Sequence, residues 1–310
     1  MLVLDAGSPD SVRRRLEQLA VEHDVGLLRT DRHLSPNQAR NLAMQHVTTA
    51  FAAFVDNDIR VHAGWLTTLE QCALETGAAA VAPVTVMAER GMQEVHQGGG
   101  VARVEVRDGA RVYVTSQDHR GEQIDDLASA SRSVTEEGEF HCLLVSRDWF
   151  NRVGGLDEAF LSLYDHSDFC MRLRDAGGSI WFEPGAVVTY GRPRFIDRRD
   201  RRYYVLRWSD RWNQLSAERL VTAWKLDADP SFGQRLWATE RRRYGYRPYT
   251  TPFNRMGRFG RPVVDLVDRI AQRRVVSAWE QSRSSPLDVH VVNRASWNAQ
   301  PAHGERVADT

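Results

Sequence analysis

Asp56-Asn57-Asp58 follows the continuous apolar run Phe51-Ala52-Ala53-Phe54-Val55. Such a run reads as a buried strand. Two carboxylates one residue apart, at the carboxyl edge of a parallel sheet, lie where ligands bind in open α/β folds. Hard oxygen ligands with few protein partners suit Mg²⁺ or Mn²⁺ held jointly by the protein and a diphosphate. The metal would there offset charge on a leaving phosphate. A polar turn with an Asp helix cap would use the same residues. Asp5 ends another short apolar run, Leu2–Asp5, and falls at the same sheet edge. Asp165-His166-Ser167-Asp168 precedes a helix and adds ionisable groups, among them an imidazole able to accept a proton near neutral pH.

The elements that must position these groups alternate. Val12, Leu16, Leu19 and Ala20 recur at helical spacing behind Ser8 and Pro9, which suit a cap and a first helical position. A strand is expected over 25–29. Ser35-Pro36-Asn37-Gln38 is a capping box that opens a helix to about His46. A strand at 51–55, a helix over 65–75 and a strand over 78–83 follow. This alternation implies a mostly parallel sheet with helices on both faces. Val104 and Val106, then Val112 and Val114, alternate with polar residues around Asp108-Gly109, which predicts a hairpin inserted at the sheet edge. Residues 116–138 read as a long polar loop of the kind that carries function. A strand at 141–146, a helix ending at Gly177, and strands at 180–182 and 187–190 complete this part. Beyond it, Tyr204, Trp208, Trp212 and Leu215, with Leu220 and Trp224, predict helices. The expected division is an α/β domain over 1–195, a helical basic subdomain over 196–283 and a disordered polar tail over 284–310.

In order, the chain offers Leu4-Asp5-Ala6-Gly7-Ser8, Ala39-Arg40-Asn41-Leu42-Ala43, Asp56-Asn57-Asp58, Gly154-Gly155-Leu156-Asp157-Glu158 and Asp165-His166-Ser167-Asp168 with Arg172. Over about residues 2–192 this series resembles the family 2 glycosyltransferases of GT-A fold, Rossmann-like in architecture. The resemblance implies transfer of a sugar from a nucleotide diphosphate sugar to a glycan or lipid-linked acceptor, with inversion at the anomeric carbon. It implies that Asp5 contacts the base or ribose of the nucleotide, Asp56 the ribose or metal, and Asp58 the metal. Arg40 lies near the nucleotide or forms a buried ion pair, and Asn41 reads as structural.

Three departures from the family pattern bear on function. The family's opening strand has no counterpart. A start placed too late, a shortened protein and a gap filled by another chain are the explanations. The family's catalytic Asp is replaced by His166, with Asp165 before it. Either His166 is the base, titrating near the ordinary value of about 6.5, or Asp165 is. Finally, Tyr190 stands where the family often supplies a histidine to the metal, and a neutral phenol is a poor Mg²⁺ ligand.

Composition narrows the field further. The 310 residues are 42% hydrophobic and 26% charged, which excludes global disorder. No apolar run approaches the length of a membrane span. Cys72, Cys142 and Cys170 lie far apart, which argues against a disulfide framework and a Cys-based zinc site, and for a reducing, cytoplasmic setting. The net charge of zero conceals 17 arginines against 28 acids in residues 1–191, and 22 basic against 10 acidic residues in 192–283. The basic part either docks on the acidic part or meets an anionic surface, such as the inner face of a membrane. His96, His119 and His141 lack metal-ligand spacing and read as packing or surface residues. Gly98-Gly99-Gly100 reads as a flexible turn. Arg241-Arg242-Arg243 has no accompanying nucleic-acid motif, so no nucleic-acid partner is expected. The rival to an enzyme is a protein that binds a nucleotide sugar, or a partner, without turnover.

Overall fold

Apolar runs and amphipathic stretches fold as strand and helix in turn. The computed structural model describes residues 1–87, 94–127, 129–191, 196–230 and 232–292. The chain begins β1 (Leu2–Ala6), α1 (Asp10–Glu22), β2 (Gly26–Thr30), α2 (Pro36–Met44), β3 (Phe51–Val55), β4 (Ile59–Val61), α3 (Trp65–Thr76) and β5 (Ala80–Met87). It continues through β6 (Val95–Gln97), β7 (Gly100–Arg107), β8 (Ala110–Gln117), β9 (Ser133–Thr135), β10 (Cys142–Ser146), α4 (Arg147–Arg152), α5 (Asp165–Asp175) and β11 (Ile180–Tyr190). Then come α6 (Arg201–Arg207), α7 (Asp210–Trp224), α8 (Phe232–Gly245), α9 (Arg247–Asn254), α10 (Arg261–Ser282) and β12 (Val289–Val292).

A seven-stranded sheet has the order β3-β10-β5-β11-β4, with β6 beside β5 and β9 beside β11. A separate three-stranded sheet has the order β1-β2-β12. The expected α/β class with helices on both faces stands, but the strand directions differ from expectation. β1 with β2 and β5 with β11 are parallel, and the other ladders are antiparallel. A parallel neighbour needs a crossover, whereas β10 enters after the long stretch following β5 and is free to run the other way.

The sequence of β5 and β10 is apolar along most of its length because both faces are covered. Ala80 and Ala82 of β5, with Leu143 and Val145 of β10, pack against Phe150, Phe169 and Leu173 from α4 and α5. Val81, Cys142 and Leu144 face the other way, onto Leu69, Cys72 and Ala73 of α3. Alternate residues of one strand thus enter two clusters, as the period of two requires. The three cysteines are separately buried and free.

Four sequence expectations change. The hairpin β7–β8 forms, with φ of +52° at Asp108 and +82° at Gly109 as a primed turn requires. It makes its own two-stranded sheet, however, held against α5 by Arg174, which donates to the Ala102 carbonyl at 2.8 Å. Gly100 is not a flexible turn: a Cβ there would stand 2.4 Å from the Ser116 carbonyl oxygen. The two strands expected at 180–182 and 187–190 are one, β11, whose register shifts between Glu183 and Val187, around Pro184 and Gly185. Within the expected disordered tail, Val289–Val292 forms β12 and pairs antiparallel with β2; residues 293–310 lie outside the described residues, as does the expected domain boundary at 195.

The C-terminal helices form as their spacing predicts and pack on the segment between the Gly154-Gly155 turn and α5. Trp212 of α7 is fully buried, 5.4 Å from Trp279 of α10, in a cluster with Leu161 and Leu206. Ser216 accepts the Leu161 and Ser162 amides at 3.0 and 3.2 Å. The Arg241-Arg242-Arg243 run is not a surface strip. Arg242, 1% exposed, donates to both oxygens of Asp268 at 2.7 and 2.9 Å and to Asp210 at 2.9 Å.

Candidate active site

The site is built around Arg40, which α2 carries inward. Ser35 begins α2 by accepting the Gln38 amide while Gln38 returns the bond to the Ser35 amide, so both expected halves of the capping box are made. One turn later Arg40 donates to Asp56 at 3.1 Å and to Asp165 at 2.9 Å, with its guanidinium 4.3 Å from the centre of the Phe140 ring. One cation therefore joins the end of β3 to the start of α5. The next residue, Asn41, faces the Gly154-Gly155 turn: its amide donates to the Leu156 carbonyl at 2.8 Å and its oxygen accepts the Leu156 amide at 2.9 Å. Asn41 is structural here, as its sequence context suggested.

Asp56 and Asp58 differ in charge environment. Burial would raise the Asp56 carboxyl, but Arg40 and His141 outweigh it and hold it below the usual range. Burial and then the neighbouring Asp56 charge push Asp58 up, with His141 and Arg241 opposing. Asp58 Oδ1 is buried without a hydrogen-bond partner. A carboxylate raised by burial and by a like charge is one that a cation would stabilise.

His141 is the residue that spacing could not find. It immediately precedes β10, and the antiparallel pairing of β10 with β3 sets it beside Asp56, whose amide donates to the His141 carbonyl at 3.0 Å. Its Nδ1 lies 3.4 Å from Asp56 Oδ2 and its Nε2 3.3 Å from Glu139 Oε2. Asp56, Asp58 and His141 present ligand atoms within 4.8 Å of one another, and so do His96, Glu139 and His141. The reading of His96 and His141 as packing residues is thus corrected for their placement. That of His119 stands, since it stacks on Phe182 and meets Glu122 at 3.0 Å. Tyr190 stacks on the His141 ring at 4.5 Å. Tyr190, which stands where the family often supplies a histidine, thus packs behind the His141 ring.

Tyr164 enters α5 in the left-handed region, φ +64°. For a bulky non-glycine residue this is an uncommon backbone state that surrounding packing must enforce. It brings Asp165 and His166 into the first turn, where the helix dipole favours carboxylates. His166 sits between two acids: Nδ1 is 3.3 Å from Asp165 Oδ1 and Nε2 is 3.5 Å from Glu137 Oε1. Glu137 also accepts the Ser167 hydroxyl, which in turn accepts that of Tyr113 at 2.8 Å. Burial alone would lower the His166 pKa, but the Asp165 hydrogen bond and the charges of Glu137 and Asp165 push it up to about 9. The expected titration near the ordinary imidazole value is therefore corrected. Asp165 is held well below the carboxylate range despite burial, through His166 and Arg40. Burial raises Glu137. Glu137 was hidden from sequence reading inside a polar stretch of three near-consecutive acids.

Two residues of the motif series lie outside this cluster. Asp168 accepts from Arg172 at 2.8 Å and from the Trp224 indole at 3.0 Å, while Arg172 also holds the Val153 and Gly155 carbonyls. This pair fixes the glycine turn and the C-terminal helices to α5. Asp5, 4% exposed at the end of β1, pairs with Arg29 on β2 and accepts the Ser8 amide at 3.0 Å. It belongs to the smaller sheet, and its hydrogen bonds to Ser8 and Arg29 do not reach the Arg40 group.

Residues 1–138 match the family described as glycosyl transferase family 2. The chain is 29% identical over 191 residues to the pre-mycofactocin glycosyltransferase of Mycobacterium tuberculosis, in strains CDC 1551 / Oshkosh and ATCC 25618 / H37Rv. That alignment covers 61% of this chain and 37% of the relative, so the chain spans little more than a third of the curated relatives' length. Two solved structures overlap it more loosely. One is GalNAc-T7 with UDP, GalNAc and Mn²⁺, at 14% identity and TM-score 0.49 over 77% of this chain and 47% of that one. The other is the mannosyltransferase PcManGT from Pyrobaculum calidifontis with GDP-Man and Mn²⁺, at 15% identity and TM-score 0.46 over 92% and 66%.

Proposed function

We propose that this chain, which carries a family 2 glycosyltransferase region over residues 1–138, is an inverting transferase. It would move a sugar from a nucleotide diphosphate sugar to a hydroxyl of a glycan or lipid-linked acceptor. The observation that carries the reading is Arg40, which ties the donor-side carboxylate Asp56 to the acceptor-side pair Asp165 and His166. In a single displacement the acceptor oxygen bonds to the anomeric carbon, the bond from that carbon to the diphosphate breaks, and the nucleoside diphosphate leaves with the electron pair. The proton of the acceptor hydroxyl passes to the neutral His166 ring. Asp165 orients that ring, Arg40 fixes Asp165, and Asp5 is assigned to the nucleotide's base or ribose. Asp56 and Asp58 would hold a divalent ion, Mg²⁺ or Mn²⁺; the unpartnered Asp58 oxygen fits that role. When bound, the ion would offset the charge gathering on the departing diphosphate.

The test is nucleoside diphosphate release by the full chain with a panel of nucleotide sugars and glycan or lipid-linked acceptors. Asp58→Ala should abolish transfer and metal-dependent nucleotide binding while leaving the circular dichroism spectrum intact. Wild-type turnover by that variant would remove the metal assignment. Donor binding without turnover at any pH would favour the non-catalytic reading, which the acid-clamped, protonated His166 also suits.

We further propose peripheral contact with an anionic membrane surface on the cytoplasmic side. No described helix is long and apolar enough to cross a membrane. Phe259, Val263, Leu266 and Ile270 form an exposed apolar stripe along α10 and the turn before it, with Arg258, Arg261, Arg269 and Arg273 exposed alongside. An apolar stripe flanked by arginines complements acidic headgroups over acyl chains. Binding to vesicles containing phosphatidylglycerol should fall steeply with salt, and Leu266→Asp should weaken it. Absence of binding at low salt would remove the proposal.

A further inference from the structure

His96, Glu139 and His141 converge from two separate stretches of chain. His96 lies on β6, which β5 holds by pairing on either side of it, at Val95 and Gln97. Glu139 and His141 lie in the link between β9 and β10. Both imidazoles approach the same carboxylate oxygen, Glu139 Oε2: His96 Nε2 at 3.6 Å and His141 Nε2 at 3.3 Å. The other oxygen, Oε1, accepts the Gln117 amide, which fixes the carboxylate's orientation. The Glu139 backbone amide donates to Gln97 at 3.2 Å, tying the link to β6. Tyr190 covers both rings, at 4.5 Å from His141 and 5.4 Å from His96. The three side chains are 11–23% exposed, so the cluster is sheltered but not sealed from solvent.

We propose that His96, Glu139 and His141 form a site for a borderline divalent transition metal such as Zn²⁺ or Co²⁺. Two imidazoles and one carboxylate are the donor set of open, three-ligand zinc sites, and nitrogen donors select these ions over Mg²⁺. A tetrahedral ion with bonds of about 2.0–2.1 Å needs ligand atoms about 3.3–3.4 Å apart. The two measured separations from Glu139 Oε2 are already close to that edge. The held Oε1 is the outer contact that ligating carboxylates require. With Nε2 on this ion, the His141 ring keeps Nδ1–H towards Asp56, 3.4 Å away. This site is therefore distinct in ligand atoms from one at Asp56 and Asp58, although His141 borders both. It does not rest on the glycosyl-transfer reading.

The experiment uses the full chain, stripped of metal by chelation and carrying Asp58→Asn to remove the neighbouring ligand. This variant should bind Co²⁺ with the visible d–d absorption of a low-coordinate, imidazole-ligated ion, and Zn²⁺ should displace it. Adding His96→Gln should weaken Co²⁺ binding by at least about 10-fold. Adding Glu139→Gln in its place should do the same, which guards against one substitution acting through misfolding; near-ultraviolet circular dichroism checks both folds. Failure of the Asp58→Asn chain to bind Co²⁺ overturns the site. So does unchanged Co²⁺ affinity on adding either second substitution to a folded chain. Neither result depends on whether the protein transfers sugar.

Discussion

At the residue scale, His166 as the proposed base would set how the chemistry responds to pH. A ring flanked by Asp165 and Glu137 and raised to about 9 is protonated at neutral pH, and a protonated ring accepts nothing. We expect kcat/KM to climb through neutrality and level off only above about 9, far from the 6.5 of a free imidazole. His166→Ala should lose roughly 10²–10⁴-fold in kcat with donor binding nearly unchanged. His166→Asp should retain measurable activity with the acid limb moved down to the carboxylate range. Asp165→Asn should cost less than His166→Ala, and the reverse ranking would make Asp165 the base. Loss in Glu137→Gln with activity kept in His166→Ala would give the role to Glu137. The raised pKa also has a thermodynamic side. The folded protein holds this proton more tightly than the unfolded chain, so the stabilisation is complete below about 6.5 and lost as pH rises through about 9. The Tm difference between wild type and His166→Gln should shrink accordingly between pH 6 and pH 10.

At the element scale, the capping box of α2 is worth testing because the helix delivers both Arg40 and Asn41. Ser35→Ala should cost about 0.5–2 kcal/mol, and Ser35→Gly only a few tenths; urea unfolding of both variants measures the gap. Equal losses would mean that buried packing of Ser35, rather than its cap bond, matters. Elements of this kind were legible because their signals are local. The box at Ser35–Gln38, the Asp108-Gly109 turn and the apolar runs of β5 and β10 each announce themselves within a few residues; β3 is a strand as expected, but it is half-buried at the sheet edge rather than buried. The motif series likewise located Asp56, Asp58, Asp165 and His166, and the structure joins Asp56 to Asp165 through Arg40. What stayed hidden depends on pairing across long separations. Nothing near His141 shows that β10 will lie antiparallel to β3, so nothing shows that it will adjoin Asp56. β12 was missed for the same reason: its partner β2 lies far upstream in the sequence. The pKa of His166 needed Glu137, which comes from 29 residues upstream.

At the scale of the whole molecule, the uneven charge does not act chiefly by docking the two parts. Arg219 with Asp157 crosses between them at 2.6 Å, but Arg211, Arg235, Arg242 and Arg243 find their acids within the C-terminal part. Contact between the parts is carried by apolar clusters around Trp212 and Leu220 and by the Leu161 and Ser162 amides, which donate to Ser216. This leaves the arginines beside the α10 stripe available to a surface. It also concentrates internal stability on Arg242. Asp268→Ala would strand a buried guanidinium, and we expect a loss of about 3–5 kcal/mol. Limited proteolysis should then cut first within residues 196–283; a midpoint unchanged from wild type would mean that Asp210 alone suffices.

The pairing of β12 with β2 sets a timetable on the ribosome. Leu28 and Val291 are register partners, so the outer edge of β2 waits for a strand made some 260 residues later. At about 5–20 residues per second that delay is roughly 13–52 s. During it, β1 and β2 can pair and the seven-stranded sheet can form, but one edge of β2 stays open to any extended chain nearby. A nascent chain arrested shortly before Val289 would therefore be the form most in need of a chaperone, and release past Val292 should end that dependence.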